Sequence, residues 1–258
     1  MSKNSVMPLI LISNDDGINA PGLKCLVETI KSLGDLIVVA PDQPQSGMGH
    51  AITISKPLRV ELVKKKNGCK WHTCSGTPAD CIKLGTKIIL KKLPDLVVSG
   101  INHGSNSSTN ALYSGTLSAA MEGAIEGIPA IGFSYCDHSW SADMEVCRDI
   151  VKTITKKVLN KGLPAGTLLN VNIPNVNEKP LKGIKICRQA NARWVEEFEE
   201  RVDPSGKNYY WLKGNFKNFD KGQDTDEWAL SHNYVSVVPL QYDLTAHHVI
   251  SVINGWEL

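Results

Sequence analysis

The stretch Pro8-Leu-Ile-Leu-Ile-Ser-Asn-Asp-Asp-Gly17 decides the fold, because an apolar run stops abruptly at polar residues. Such a run is typical of a strand buried on both faces of a parallel sheet. Open α/β sheets bind their ligands at the carboxyl ends of such strands, where Asp15 and Asp16 stand. Adjacent carboxylates repel each other unless a cation joins them. We therefore expect a site for Mg²⁺, Mn²⁺ or Ca²⁺ here, although Asp-Asp-Gly would also suit a turn.

The segments beyond this strand alternate between apolar runs and amphipathic helices. A helix is expected from Pro21, a favoured first helical residue, to about Gly34. This alternation predicts an α/β fold with a Rossmann-like, doubly wound and mostly parallel sheet. Further strands are predicted over residues 36–40, 71–75, 95–99, 128–133, 167–173 and 234–240, extended structure over 52–63, and a polar loop over 100–110. Further helices are predicted from residue 80 through 88 and over 114–127, 143–160, 226–233 and 247–255.

The pattern changes after Pro180, where short strands replace the alternation. Residues 184–189, 194–202 and 208–212 predict an antiparallel, β-rich lobe with a hairpin turn at Asp203-Pro-Ser-Gly206. We expect one domain over residues 1–258, with an α/β core at 1–180. Residues 181–258 would form the β-rich extension, a closing strand and a C-terminal helix. Trp194, Trp211 and Trp228 are expected to anchor the extension or a subunit contact rather than to stack on a base.

Composition excludes several classes of protein. The 258 residues carry a net charge of +2 with no basic tail, so we expect no nucleic-acid duplex as a partner. Seven cysteines without a C-x-x-C pair indicate reduced thiols rather than disulfides or a zinc module. No signal-peptide h-region is evident, and no apolar stretch approaches the ~20 residues that a membrane span needs. We expect a cytoplasmic protein that does not bind membranes.

Three further loops should lie near the aspartate pair, because each follows a strand of the predicted sheet. One carries Ser46 between glycines, and another carries Asn102 and Asn106 as neutral oxygen donors. The third, Ser114-Gly115-Thr116, opens a helix, whose free N–H groups and dipole favour an anion. Each alone would also suit an ordinary turn or helix cap.

Together these loops suit hydrolysis of a phosphate monoester. A divalent ion at the aspartates would polarise the phosphoryl oxygens and lower the pKa of a water, while the helix start holds the phosphate. Asp15 or Asp16 would hold the ion or orient that water. The chain lacks a P-loop and lacks G-x-G-x-x-G after its first strand, which disfavours NTPase and dinucleotide-binding functions. His50 and His103 are both candidates for the general acid.

Several motifs, in order along nearly the whole chain, resemble the SurE survival-protein family. They are Asn14-Asp-Asp-Gly17 with Ala20-Pro-Gly-Leu23, Ala40-Pro-Asp-x-x-x-Ser46-Gly, Ser75-Gly-Thr-Pro-Ala-Asp80, Gly100-Ile-Asn-His-Gly-x-Asn106, Tyr113-Ser-Gly-Thr116, Asp203-Pro-x-Gly206 with Tyr209-Tyr-Trp211, Thr225-Asp226, and Tyr234-Val-Ser-x-x-Pro-Leu-x-x-Asp-Leu-Thr-Ala246. The resemblance implies a metal-dependent 5′-nucleotidase that also hydrolyses nucleoside 3′-monophosphates and short polyphosphate.

The same resemblance implies a set of site residues. One divalent ion per subunit, Mg²⁺ or Mn²⁺, would bind Asp15, Asp16, Ser46 and Asn102, with Asp15 and Asp16 catalytic. Phosphate contacts would fall on Asn106, Ser114, Gly115 and Thr116, and Asp226 and His103 are accessory candidates. The C-terminal extension implies a homodimer or homotetramer.

This chain departs from the family pattern at Ser108-Thr109-Asn110, where many relatives carry Gly-Asp-Asp. The departure motivates an alternative function, a non-catalytic protein that binds or senses nucleotides. A second alternative concerns the mechanism, since Asp15 at the end of a strand could also form an aspartyl-phosphate.

Overall fold

The first strand lies near the middle of one large sheet in the computed structural model, which describes residues 7–66, 68–176 and 180–256. In this strand, Ile10 and Ile12 pack into the hydrophobic cluster on one face of the sheet, and Leu11 packs into the cluster on the other. All three side chains are fully buried. Burying such a side chain contributes about 1.5–3 kcal/mol. The opening apolar run therefore belongs to both halves of the core.

The described strands and helices follow the predicted alternation. The strands are β1 (Leu9–Ser13), β2 (Asp35–Pro41), β3 (Val60–Lys66), β4 (Cys69–Cys74), β5 (Leu96–His103), β6 (Ala130–Tyr135), β7 (Thr167–Ile173), β8 (Gly183–Ile186), β9 (Ala192–Val202), β10 (Asn208–Asn218) and β11 (Tyr234–Gln241). The helices are α1 (Pro21–Ile30), α2 (Pro78–Leu84), α3 (Gly115–Ile125), α4 (Glu145–Lys161), α5 (Asp226–Ser231) and α6 (His247–Asn254). One π-helical turn (Gly85–Ile89) extends α2, and a 3₁₀ turn (Ser108–Leu112) precedes α3.

The sheet confirms the predicted doubly wound, mostly parallel fold. Within the described residues its strand order is β3-β4-β2-β1-β5-β6-β7-β11-β8, and the strands from β4 to β7 run parallel. Helices α1 and α4 contribute to the cluster on one face, and α2 and α3 to the cluster on the other. The chain first winds outward through β2 and β4 and then returns beside β1 as β5. A crevice for ligands is expected at this reversal, between the carboxyl ends of β1 and β5.

The structure corrects the predicted elements at three places. Residues 52–59 contain no strand, so only the last four residues of the predicted extended segment, 60–63, belong to a strand. Strand β8 lies parallel to β11 in the main sheet, whereas the sequence placed it in the antiparallel lobe. Strand β5 continues to His103, through residues that were predicted as loop, and its register with β6 shifts between Ser99 and Asn102. Such irregularities re-aim side chains and are common beside active sites.

The β-rich extension consists chiefly of one long hairpin. Strands β9 and β10 pair antiparallel from Ala192–Asn218 to Val202–Asn208, and the turn between them is the predicted Asp203–Gly206 segment. Gly206 has a φ of +81°, which glycine adopts at little cost. No helix within the described residues has the length and apolar character that a membrane crossing requires.

Candidate active site

A cavity of about 810 Å³ opens at the carboxyl ends of the central strands. It brings together six residues that the sequence singled out, namely Asp15, Ser46, Asn102, His103, Asn106 and Ser114. They come from β1, the loop after β2, β5 and the loop after it, and the start of α3. The reversal of strand order thus gathers residues that lie up to about a hundred positions apart in the chain.

Asp15 is the most deeply buried acidic group of this cavity, with 4% of its surface exposed. Its Oδ1 accepts a hydrogen bond from the Thr116 hydroxyl at the start of α3. Burial raises the pKa of Asp15 to about 6, the Asp16 charge adds to the increase, and the Thr116 hydrogen bond opposes it. A buried carboxylate of this kind is stabilised by a cation.

Asp16 lies beside Asp15 and is only partly buried. Its Oδ2 accepts the backbone N–H of His103 at 3.3 Å, which ties the end of β1 to the end of β5. Burial raises the pKa of Asp16, and the nearby His103 opposes this increase. The two carboxylates therefore lie at the carboxyl ends of the neighbouring strands β1 and β5.

Asp15 gives the metal-free protein a characteristic pH dependence. Its pKa is about 6 in the fold against 3.8 for an ordinary aspartate, so at pH values between them the folded chain retains a proton that the unfolded chain has lost. Its contribution to stability is therefore present below about pH 4 and lost as the pH rises through about 6. We expect the melting temperature of EDTA-treated wild type, measured by calorimetry, to fall across this interval relative to Asp15→Asn. If the melting temperatures of the two proteins changed with pH in the same way, the raised pKa of Asp15 would be contradicted.

The loop that carries Ser46 is fastened to the site at both ends. The N–H of Gln45 donates to the backbone oxygen of Asp15 at 2.8 Å, and the N–H of Gly49 donates to the backbone oxygen of Tyr113 at 3.1 Å. Gly47 and Gly49 have φ values of +74° and +55°, a region that favours glycine. Ser46 is thereby presented to the cavity between the aspartates and the start of α3.

His50 closes the same loop through a buried ionic cluster and does not line the cavity. Its Nε2 lies 3.0 Å from Oε2 of Glu122 on α3, whose other oxygen accepts Lys83 Nζ at 2.5 Å. Burial acts to raise the pKa of Glu122, but hydrogen bonds from His50 and Lys83 outweigh it and hold the pKa below its usual range. Of the two candidate general acids, only His103 therefore remains in the cavity.

Asn102 presents an oxygen rather than a nitrogen to the site. Its Nδ2 donates to the backbone oxygen of Gly104 at 2.8 Å, and the planar amide directs Oδ1 the other way. The Nδ1 of His103 lies 2.9 Å from the backbone oxygen of Ser139. A carbonyl only accepts, so Nδ1 carries the proton and Nε2 is the nitrogen left for chemistry. The His103 ring also stacks on Trp140 at 4.9 Å between centroids.

The start of α3, where the sequence predicts an anion cradle, lies at the cavity through Ser114. Ser114 caps the helix, since its hydroxyl accepts the N–H of Leu117. Gly115 has no room for a side chain, because a Cβ there would lie 2.6 Å from the Cβ of Asp15. Thr116 is fully buried and donates its hydroxyl to Asp15, so its side chain supports the aspartate rather than facing the cavity.

Asn106 is held by a buried network of amides on β6 and β7. Its N–H donates to Asn172 Oδ1 at 2.8 Å, its backbone oxygen accepts Asn170 Nδ2 at 2.9 Å, and its own Nδ2 donates to Ser134 Oγ at 2.8 Å. Asn172 in turn donates to Asn170 at 2.9 Å. A fully bonded polar network of this kind fixes one conformation in a low-dielectric interior.

Asp226 lies outside the cavity lining and fastens the extension to the site loop. Its side chain is fully buried and accepts the N–H of Ser108 at 2.7 Å and that of Ala190 at 2.9 Å. Ser108 has a φ of +52°, at a position where the family pattern carries glycine. The carboxylate thus stabilises a backbone conformation that serine rarely adopts. Ser108, where this chain departs from the family pattern, is therefore held in place by its contact with Asp226 at the start of α5.

The sequence missed one wall of the cavity, which the β9–β10 hairpin supplies. Trp194, Glu196, Leu212, Lys213 and Gly214 line it. The sequence predicted the first three only as strand residues, with Trp194 as an anchor, and assigned no role to Lys213 and Gly214. Which face of the hairpin turns toward the sheet depends on long-range docking that no local pattern encodes. Tyr113, which belongs to one of the motifs, and His138, which follows β6 outside all of them, also line the cavity.

Within the described residues, no three His, Cys, Asp or Glu side chains come together as a metal cluster. An ion at this cavity would therefore rely on the two aspartates and on neutral oxygens. Such a donor set, made of oxygen atoms alone, suits hard cations such as Mg²⁺ or Mn²⁺ better than Zn²⁺.

Comparison with known proteins identifies close relatives. A family model described as "Survival protein SurE" matches residues 10–196. The 5′-nucleotidase SurE of Christiangramia forsetii is 62% identical over 257 residues, 99% of each chain, and that of Flavobacterium psychrophilum is 57% identical over 252 residues, 97% of this chain and 98% of its own. The crystal structure of the SurE protein from Aquifex aeolicus matches with a TM-score of 0.84 and 44% identity, and the match covers 97% of this chain and 100% of that one.

Proposed function

This chain belongs to the survival protein SurE family, and from that premise we propose that its cavity hydrolyses nucleoside 5′-monophosphates to nucleoside and phosphate. The chain is a 5′-nucleotidase, the activity for which its relatives over nearly the full length are named. The observation that carries the assignment to this cavity is the convergence of Asp15, Ser46, Asn102 and Ser114 at the reversal of strand order.

The residues present fit a divalent ion. Asp15 and Asp16 are adjacent carboxylates whose pKa values are both raised by burial, a cost that a bound cation would offset. Asn102 turns its oxygen away from Gly104, and Ser46 adds a hydroxyl from the fastened loop. These four residues would hold one Mg²⁺ or Mn²⁺ per subunit. The bound ion would polarise the phosphoryl oxygens and lower the pKa of a water.

The protein's own groups would then bind and orient the substrate. The free N–H groups at the start of α3, behind the Ser114 cap, would hold the phosphate oxygens, and Asn106 would contact them from the other side. Asp16, the more exposed carboxylate, would orient the attacking water in line. His103 is the candidate donor of a proton to the leaving oxygen: in the doubly protonated ring, Nε2 would give its proton while Nδ1 keeps the one that it donates to Ser139.

The amide network behind Asn106 yields a prediction for phosphate binding. Asn172→Ala removes the acceptor of the Asn106 N–H, and an unsatisfied buried N–H costs about 1–3 kcal/mol. We expect the inhibition constant of inorganic phosphate to rise about ten-fold. Asn175→Ala is the matched control, because Asn175 follows the same strand but bonds Asp137 and Tyr135. Equal inhibition constants in the two variants would mean that the network is merely structural.

Phosphate release after EDTA treatment tests the proposed function. Activity on 5′-AMP should vanish on stripping and return with Mg²⁺ or Mn²⁺. Steady turnover would also exclude the alternative of a nucleotide sensor. Folded protein that binds AMP but releases no phosphate with any divalent ion would contradict the proposal. We further propose that the same cavity hydrolyses 3′-AMP and short polyphosphate, which the same assay can test. Variants of the site residues that lose all three activities together would support one shared site.

The C-terminal extension supports a homodimer or homotetramer. No residue of α6 is buried within its own chain, although the helix carries Ile250, Val252 and Ile253, and the following Trp256 is also exposed. The hairpin likewise exposes Phe198, which a second copy of the chain could cover. Light scattering at micromolar concentration tests this assembly, and a strict monomer would contradict it. Seven free cysteines, most of them buried, support a cytoplasmic location.

A further inference from the structure

The face of the hairpin that lines the cavity carries an aromatic side chain opposite the phosphate cradle. Register pairs Trp194 with Phe216 and Glu196 with Gly214, so these four residues share one face of the two-stranded sheet. Trp194 and Ser114 line the same cavity, from the hairpin and from α3 respectively. A ligand whose phosphate lies at Ser114 therefore extends toward an indole ring.

The Trp194 ring is held in place by its neighbours but remains about half exposed. Its indole N–H donates to Oδ1 of Asn110 at 3.0 Å. The ring of Phe216 packs against it in a T-shaped arrangement, at 5.9 Å between centroids and an interplanar angle of 65°. Even so, 49% of Trp194 remains exposed. An aromatic side chain that is held by neighbouring residues and still half exposed is suited to stacking.

Asn110 connects this ring to the phosphate cradle by a short stretch of chain. It lies in the 3₁₀ turn Ser108–Leu112, four residues before Ser114. The neighbouring Thr109 hydroxyl donates to the backbone oxygen of Ala192 at 2.8 Å, which fastens the base of the hairpin to the same turn. The distance between cradle and ring is thus set by a rigid connection rather than by a free loop.

We propose that the Trp194 ring is the stacking surface for the nucleobase, an inference that rests on the proposed nucleotidase function. The substrate is then recognised at two ends, with the phosphate at α3 and the base at the hairpin. Stacking uses the π-face that every base has, so this surface favours nucleotides over other phosphate esters without selecting one base. Purines, with the larger ring system, gain more from it than pyrimidines.

Comparison of 5′-AMP with ribose 5-phosphate isolates the contribution of the base, because the two substrates share the same sugar and phosphate. For Trp194→Ala we expect KM for 5′-AMP to rise about ten-fold or more with little change in kcat, since the lost contact lies away from the reacting phosphorus. KM and kcat for ribose 5-phosphate should stay within about two-fold. Trp194→Phe, which retains a ring, should recover most of the affinity for 5′-AMP.

Trp211→Ala is the matched control, because Trp211 lies on the opposite face of the same hairpin, is 55% exposed and does not line the cavity. It should leave both substrates unaffected. Equal losses on 5′-AMP and ribose 5-phosphate in Trp194→Ala would overturn the inference, and so would an unchanged KM for 5′-AMP. Wild-type turnover of 5′-AMP keeps the proposed function standing in either case. Turnover of neither substrate by wild type would overturn both.

Discussion

Asp15→Asn is expected to lower kcat/KM for 5′-AMP by roughly 10³-fold or more, because it removes one of the two charges that would hold the divalent ion. The substitution preserves the shape of the side chain, and the Thr116 hydroxyl can still donate to the amide oxygen. It also removes a buried charge whose pKa is raised to about 6, so the metal-free variant should be at least as stable as wild type at pH 7. Loss of activity without loss of stability is the expected signature.

Asp42→Asn is the matched control for this variant, since Asp42 is an exposed carboxylate just after β2, at the same edge of the sheet. We expect its activity to stay within about two-fold of wild type, as for surface substitutions away from a site. Retained activity in Asp15→Asn at saturating metal would contradict the assignment of Asp15. A single-turnover reaction in ¹⁸O-labelled water separates direct attack by water from an aspartyl-phosphate, because label would enter the enzyme carboxylate only in the second mechanism.

Asp226→Ala is expected to lower the free energy of unfolding by about 4 kcal/mol, because each buried N–H that loses its acceptor costs about 1–3 kcal/mol. Three such groups depend on this carboxylate, those of Ser108, Ala190 and Glu227. Asp226→Asn should cost less, although its NH₂ group would face the Ser108 N–H while its oxygen serves the other two donors. Urea denaturation at fixed protein concentration measures both changes.

The matched control is Asp224→Ala, two residues away. Asp224 is exposed and pairs with the exposed Arg188, so its loss should change the free energy of unfolding little. A comparable loss in the two variants would contradict the account of Asp226 as the fastening between the extension and the loop that carries Asn106. Ser108 should become more mobile in Asp226→Ala, because its positive φ then loses the hydrogen bonds that support it.

Local patterns were sufficient for the α/β core of the fold. The run before Asn14 predicted a strand buried on both faces, and its alternate residues do pack into two clusters. The end of β5 was harder, because Gly100 and the polar residues after it suggest a loop. The strand persists there because Gly100 and Ile101 are buried and Asn102 and His103 pair with β6. The polar side chains indicate that these residues face a site, but they do not show whether the backbone forms a strand or a loop.

Long-range docking explains what the sequence could not predict. The short β8 lies beside β11 because its partner arrives about fifty residues later, and no local signal specifies that pairing. Trp194 was predicted to be an anchor, yet it lines the cavity, since the hairpin packs by the face that carries it. The hydroxyl of Thr116, which the sequence offered as a phosphate contact, donates to Asp15, a partner that no local pattern indicated. In each case the partner, rather than the residue type, determines the role.

Crystals soaked with Mn²⁺ and phosphate, measured at the manganese absorption edge, test the central claim most directly. The account predicts one anomalous peak per chain, in contact with Asp15, Asp16, Ser46 and Asn102, with phosphate between it and Ser114. The peak should be lost in Asp15→Asn crystals of the same form. A fully occupied peak elsewhere in the molecule, with none at the aspartate pair, would contradict it.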